Sequence, residues 1–201
     1  MNEYDRWEGR FAAEHFVFGT EPNAFLARTA GRIPPGSRVL SVADGEGRNG
    51  VWLAEQGHDV LAQDFSPTAQ DKARRLAAER GVTLEWELSD ITARDWAPEA
   101  FDAVVGIFFQ FLPPAARSDV LAGIVRTVKP GGIVLIEGYG PKQLDYGTGG
   151  PKALENLYTE ALLREAFAGF KEVETAAYDA EIEEGPGHSG MSALVDLIAR
   201  K

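Results

Sequence analysis

Short apolar runs and stretches of helical spacing follow one another along this chain, with glycines and prolines at the joints. Val39 to Ala43 predicts a first strand, Asn49 to Gln56 a helix with Val51, Trp52, Leu53 and Ala54 inward, and Asp59 to Gln63 a second strand. The next helix carries its own punctuation: Ser66 suits the N-cap, Pro67 the first helical position and Gly81 the C-terminal stop. Thr83 to Leu88 alternates, with Leu84, Trp86 and Leu88 on one face, and predicts a third strand. Phe101 to Phe109 is almost wholly apolar, as a central parallel strand covered on both faces should be. A helix is expected over Ser118 to Val128, broken by Lys129-Pro130-Gly131-Gly132, and then a fifth strand over Ile133 to Glu137. Five glycines and two prolines between Gly138 and Pro151 predict a long loop. Thr159 caps a helix that runs to Phe167. Glu172 to Glu181 and Ser192 to Ala199 leave no room for a helix between them and predict an antiparallel hairpin.

The pattern sums to an α/β fold: a mostly parallel seven-stranded sheet with one antiparallel edge strand and helices on both faces. One domain over residues 1–201 is expected, with an N-terminal helical lid segment over 1–32 and an α/β core over 33–201. Apolar content of 44% and charged content of 25% are ordinary for a water-soluble protein. Zero cysteines exclude disulfides, thiolate zinc sites and cysteine nucleophiles, and no metal triad has workable spacing. A net charge of −11 without a Lys/Arg cluster argues against nucleic acid as a partner. There is neither a basic leader with an apolar core nor an apolar run of bilayer length, so the expectation is a cytoplasmic monomer or homodimer without a membrane partner.

The candidate chemistry sits where the first strand ends. Ser41-Val42-Ala43-Asp44-Gly45-Glu46-Gly47-Arg48-Asn49-Gly50 leads from strand through a glycine turn into a helix, and Asp64 closes the second strand. Such a turn brings backbone close to an adenosine-bearing cofactor, and the carboxylate accepts from ribose hydroxyls. Gly45, Gly47 and Gly50 also fit the Gly-x-Gly-x-x-Gly pattern of a dinucleotide site. Its pyrophosphate would lie beside Asp44 and Glu46, and each like-charge contact at ~4 Å costs about 4 kcal/mol at an effective dielectric near 20. S-adenosylmethionine, a sulfonium cation with an α-ammonium group and no phosphate, suits an acidic turn better. A nicotinamide-dependent oxidoreductase is disfavoured further because 201 residues leave no room for a substrate domain.

With the turn, Asp64, Asp90, Lys129-Pro130-Gly131-Gly132 and the closing hairpin, the chain resembles class I S-adenosylmethionine-dependent methyltransferases from about Ile33 onward. Phe18-Gly19-Thr20-Glu21-Pro22-Asn23 and the tracts Glu137-Gly138-Tyr139 and Tyr146-Gly147-Thr148-Gly149-Gly150-Pro151 resemble the small-molecule branch around tellurite-resistance and thiopurine methyltransferases. The first motif departs from that family's Asp-x-Gly-x-Gly, with Ser41, Ala43 and Gly45 in those places. Ala43 is small enough to preserve a close backbone approach, while Ser41 removes one expected contact around the methionine end.

The resemblance implies S-adenosylmethionine as cofactor, S-adenosylhomocysteine as product, and a small-molecule methyl acceptor such as a thiol or chalcogen oxyanion. The expected cofactor residues are Ala43, Asp44, Gly45, Gly47 and Asn49 at the turn, Asp64 on the ribose, Phe65, Asp90 and Ile91 around the adenine, and Ile107 near the sulfur. Trp7 and Thr20 are the lid candidates, an aromatic face near a sulfonium gaining from cation–π attraction, whereas Phe11 is expected only to cover a sheet face. Methyl transfer needs a base only if the nucleophile arrives protonated. Glu137, Tyr139 and His188 are the candidate catalytic groups, with Gln110 and Tyr146 beside the acceptor. A lone His in a turn such as Gly185-Pro186-Gly187 is more often exposed and idle, and His15 and His58 read as surface positions. A non-catalytic cofactor-binding module is the alternative, supported by Ser41 and Ala43. Base methylation is disfavoured because Gln110-Phe111-Leu112-Pro113 stands where such enzymes place Asn/Asp-Pro-Pro-Tyr/Phe.

Overall fold

The computed structural model describes residues 3–201. Its seven strands are β1 (Arg38–Val42), β2 (Asp59–Asp64), β3 (Glu85–Leu88), β4 (Phe101–Ile107), β5 (Val128–Tyr139), β6 (Glu172–Glu183) and β7 (Ser189–Arg200). They form one sheet in the order β3-β2-β1-β4-β5-β7-β6. The first five are parallel, and β7 runs antiparallel to both β5 and β6. The Rossmann-like sheet expected from the sequence is therefore present, with its antiparallel strand one place in from the edge and β6 outermost. Seven helices accompany the strands among the described residues: α1 (Glu3–Phe11), α2 (Ala24–Thr29), α3 (Arg48–Glu55), α4 (Pro67–Arg80), α5 (Pro114–Thr127), α6 (Gln143–Tyr146) and α7 (Glu160–Ala166). No described helix is long and apolar enough to cross a membrane.

Period-two alternation splits the strands between two cores. Leu40, Val42, Val104, Val134 and Ile136 face α5 and α7 through Val120, Leu121, Ile124, Leu163 and Phe167. Val39, Ala103, Val105, Ile133 and Leu135 face the opposite way, against Phe25 and Leu26 of α2 and Leu53 of α3. Val104 and Val105 are both fully buried on opposite faces, which is why β4 reads as an unbroken apolar run.

Local signals decide the element ends. Ser66 caps α4 by accepting from the Ala69 N–H at 3.0 Å, and Gly81 closes it at φ +70°. Thr159 caps α7 through Leu162. Helix α5 starts four residues before the expected Ser118, because Pro114 occupies its first position after Pro113. The predicted long loop after Gly138 is shorter: β5 extends through Tyr139, and α6 occupies four residues before Gly147 turns left-handed. Leu88, on the same face of β3 as Leu84 and Trp86, is 57% exposed on this outermost strand of the sheet.

Candidate functional site

The turn after β1 is built by a hydrogen-bond exchange around Asp44. Ser41 Oγ donates to Asp44 Oδ1 at 2.6 Å, and the Gly50 N–H donates to the same oxygen at 2.9 Å. Ser41 thus holds the carboxylate that the usual first motif carries three residues earlier. Ala43 sits at φ +48°, the left-handed region that a non-glycine residue adopts at some cost. Gly47 starts α3 at φ +90°, and a Cβ there would lie 2.6 Å from the Ala73 Cβ, so this glycine lets α3 and α4 close on each other. Gly47 accordingly serves packing and does not line the crevice, unlike its neighbours.

A crevice opens over the C-terminal ends of β1, β2 and β4. Ala43, Asp44, Gly45, Asn49, Asp64, Phe65 and Ile107 line it. Asp64 accepts from the Gly45 N–H at 2.9 Å and the Ser66 N–H at 2.8 Å, one on each oxygen. A carboxylate has lone pairs left for two further donors. Burial pushes both Asp44 and Asp64 up to about 6, against the hydrogen bonds that lower them. The crevice is roofed by the N-terminal segment: Trp7, Phe11, Phe18 and Gly19. Phe11 is part of this roof, stacked on Trp7 with ring centroids 5.5 Å apart, rather than a cover for the sheet. Thr20 does not reach the crevice.

The roof is pinned by charge. Glu46, buried at the turn, accepts from the Val17 N–H at 2.8 Å and pairs with Lys72 Nζ at 2.6 Å, and Lys72 also donates to the His15 carbonyl at 2.8 Å. Arg48 pairs with Glu184 of the β6–β7 turn at 2.8 Å, with its Nη1 lacking a well-aligned hydrogen bond. These cations correct the expectation of a strongly acidic turn. Glu46 is neutralised by Lys72, Arg48 faces the crevice itself, and only Asp44 and Asp64 are left without an ion-pair partner.

Two further hollows adjoin the crevice. On the β3 side, Phe65, Leu88, Ser89, Asp90, Phe111 and Leu112 bound a shallow one, in which Asp90 is exposed and caps Thr92. Ile91, expected beside it, instead lies fully buried in the core. On the β5 side, Phe108, Tyr139, Gly149, Gly150, Gln110 and Asn156 line a second cavity, which shares Trp7, Phe108, Phe111 and His188 with the crevice. Phe108 stands in that shared wall at φ +54°.

His188 is buried, its ring 4.4 Å from those of Phe18 and Phe108, and its Nδ1 has no partner. Burial, with the positive charges of Arg48 and Arg10, holds it well below the usual imidazole range, so it is neutral at pH 7. The exposed reading of this residue is wrong because the turn folds back under Phe18. Tyr139 also faces the second cavity, its buried hydroxyl unpartnered and its phenol pushed upward by burial and by Glu184. Gln110 is already committed to the backbone of Tyr139 and Asn156. Tyr146 lies away from both spaces, under Lys142.

Glu137 lines neither cavity. Its carboxyl accepts from Asn23 Nδ2 at 2.6 Å and the Tyr178 hydroxyl at 3.2 Å, and burial together with Asp196 raises it well above the usual carboxylate range. His58 is half-buried rather than superficial, and His15 is exposed. Asn23, which went unassigned, is the hub of the roof. Its Oδ1 caps α2 at Leu26, its N–H donates to Asn49 Oδ1 at 3.0 Å, and its Nδ2 reaches both Glu137 and Glu184. An Asn before Ala24-Phe25-Leu26 is a readable N-cap; its other contacts cross from residue 23 to residues 137 and 184 and leave no local signal. No group of three or more His, Cys, Asp or Glu among the described residues is placed to hold a metal.

Residues 39–132 match a family model described as a methyltransferase domain. The chain is 34% identical over 130 residues to the demethylmenaquinone methyltransferase of Renibacterium salmoninarum, covering 65% of this chain and 50% of that protein. It is 30% identical over 108 residues to the tRNA 5-carboxymethoxyuridine methyltransferase of Escherichia coli, covering 53% of this chain and 41% of that one. Among solved structures it is similar to TehB from Haemophilus influenzae, with a TM-score of 0.70 at 20% identity over 98% of this chain and 66% of that one. The chain spans half or less of the length of these curated relatives. Residues 39–132 thus resemble a methyltransferase domain, and the chain has the Rossmann-like fold of a solved S-adenosylmethionine-dependent methyltransferase from Methanosarcina mazei, with a TM-score of 0.70 at 18% identity.

Proposed function

We propose that this protein transfers a methyl group from S-adenosylmethionine to a small-molecule acceptor by in-line displacement. The observation that carries the reading is the placement of two spaces end to end, a crevice over Asp64 and the glycine turn and a second cavity beyond Trp7, Phe108, Phe111 and His188. The crevice residues fit the cofactor. Asp64 keeps lone pairs for ribose hydroxyls, and the buried Trp7 Nε1 has no partner of its own. Phe65 and Asp90 bound the hollow on the adenine side. Bound there, S-adenosylmethionine supplies a methyl group activated by a positively charged sulfur.

The rest falls to this chain's own residues. The aromatic wall of Trp7, Phe108 and Phe111 keeps water from the junction and fixes the line of approach, and such positioning is worth up to about 7–11 kcal/mol. Neutral His188 and the unpartnered Tyr139 hydroxyl orient the acceptor by hydrogen bonds. Glu137 holds the roof through Asn23 rather than moving protons. The N-terminal lid segment closes both spaces through Trp7, and the acceptor is a small, soft nucleophile such as a thiol or chalcogen oxyanion.

Isothermal titration tests the reading first: micromolar S-adenosylmethionine binding is expected, with at least a hundredfold loss in Asp64→Ala. A screen for labelled-methyl transfer to thiols, selenite, tellurite and amines then separates an enzyme from a non-catalytic module. Absence of cofactor binding by the unaltered chain refutes the proposal.

A further inference from the structure

The second cavity has a charge of its own. In a chain of net charge −11, its mouth presents Arg6, Arg10 and Lys152 against a single carboxylate, Glu3. Arg6 is paired with Glu3 at 3.2 Å. Among the described residues, Arg10 and Lys152 have no carboxylate partner. The Arg10 guanidinium rests 5.4 Å over the Trp7 ring and 4.8 Å over the Phe18 ring, with one long contact to the Gly187 carbonyl at 3.5 Å. Two aromatic faces therefore fix its position while most of its donors stay free, the arrangement in which a guanidinium captures an oxyanion in bidentate fashion.

A second observation comes from the inner end. Tyr139 Oη and His188 Nδ1 are buried polar atoms without hydrogen-bond partners, although the cavity borders both residues. Buried polar groups are nearly always satisfied, so two on one cavity call for a polar group on what enters it. Between the two ends the walls are flat and apolar: Phe108, whose ring lies 4.6 Å from Tyr139, with Phe111 and Trp7.

We propose that the acceptor is an elongated, flat anion whose carboxylate or similar oxyanion is held at the mouth by Arg10 and Lys152, while its methyl-accepting heteroatom reaches the wall between the two cavities. This rests on the methyl-transfer reading and adds the charge and polarity of the acceptor. The methyl carbon exchanges its bond to sulfur for one to the acceptor heteroatom; the sulfur keeps the electron pair, and the heteroatom's proton, if it has one, passes to solvent. The anchored oxyanion takes no part in that exchange and fixes only distance and direction.

The test uses the full chain saturated with S-adenosylhomocysteine, whose own titration reports separately on the methyl-transfer reading. Titration with 4-hydroxybenzoate, 4-aminobenzoate and their methyl esters compares anionic and neutral molecules of one shape. At least tenfold tighter binding of the carboxylates is expected, with the advantage shrinking as salt is raised. Arg10→Gln should remove most of that preference. Lys152→Gln, at an exposed position outside the cofactor crevice, should reduce it threefold or more even if the Arg10 variant folds poorly. Equal binding of acids and esters, failure of all four probes to bind, or a preference unchanged in Lys152→Gln overturns the proposal. Any of these outcomes beside intact S-adenosylhomocysteine binding leaves the proposed methyl transfer standing.

Discussion

Lys72→Met is the most demanding probe of the roof. The Glu46 carboxylate and Lys72 ammonium lie 2.6 Å apart, with side chains 2% and 4% exposed. At an effective dielectric near 20, charges at that separation attract by about 6 kcal/mol. Desolvation of both groups offsets most of this, so the pair itself contributes little net stability. Deleting one member is different, because it strands the other charge in the interior at a cost of ~3–5 kcal/mol. Lys72→Met also leaves the His15 carbonyl without its donor. For a chain of this size the midpoint of thermal unfolding should fall by roughly 6–20 °C. The double variant Glu46→Gln/Lys72→Met removes both charges and keeps an amide oxygen for the Val17 N–H, so it should recover at least half of the loss. Urea unfolding gives the free energies, and S-adenosylmethionine titration shows whether the roof still closes. A loss below ~1 kcal/mol, the level of an exposed pair, together with unchanged cofactor affinity, would falsify the claim that this pair pins the N-terminal segment.

Other perturbations follow from the same geometry. Gly47→Ala forces a Cβ against Ala73 at φ +90° and should destabilise the chain by about 2–4 kcal/mol in urea titration; a smaller effect means that α3 and α4 separate easily. Burial sets Asp64 to about 6, and only its ionised form accepts fully from ribose hydroxyls. Cofactor affinity should therefore hold steady above pH 7 and fall by up to about tenfold per pH unit below 6. Calorimetry across pH 5–8 checks this, and Asp64→Asn should flatten the profile. Tyr139→Phe removes an unpartnered hydroxyl, so folding stability and cofactor affinity should not change, whereas the Michaelis constant for a turned-over acceptor should rise about tenfold.

The fold was legible where chemistry is local. Ser66, Pro67 and Gly81 mark α4 because caps and φ preferences act within one turn, and the apolar run of β4 shows burial on both faces directly. Asp64 and the turn after β1 were legible for the same reason. Long-range pairing was not. Nothing adjacent to Glu46 reveals Lys72, so the turn read as far more acidic than it is. Nothing beside His188 announces Phe18 and Phe108, so the turn reads as exposed although it is buried. Glu137 looked catalytic from its place at the end of β5, yet Asn23, Tyr178 and Asp196 absorb its carboxyl. The short α6 escaped notice because Gly147, which ends it, reads equally well as loop.

Asn23 joins Glu184 across 161 positions of sequence, and the Gly187 N–H reaches back to the Val17 carbonyl. The ligand chamber is thus sealed by segments that lie far apart along the backbone. Closing loops of that span is entropically expensive, so these contacts should form late in folding. Chains halted at an earlier stage, with the parallel strands already aligned, would carry Asp64 and the glycine turn but no ceiling. Cofactor retention would then report on completion of the whole molecule, and proofreading of that last closure would be built into the site itself.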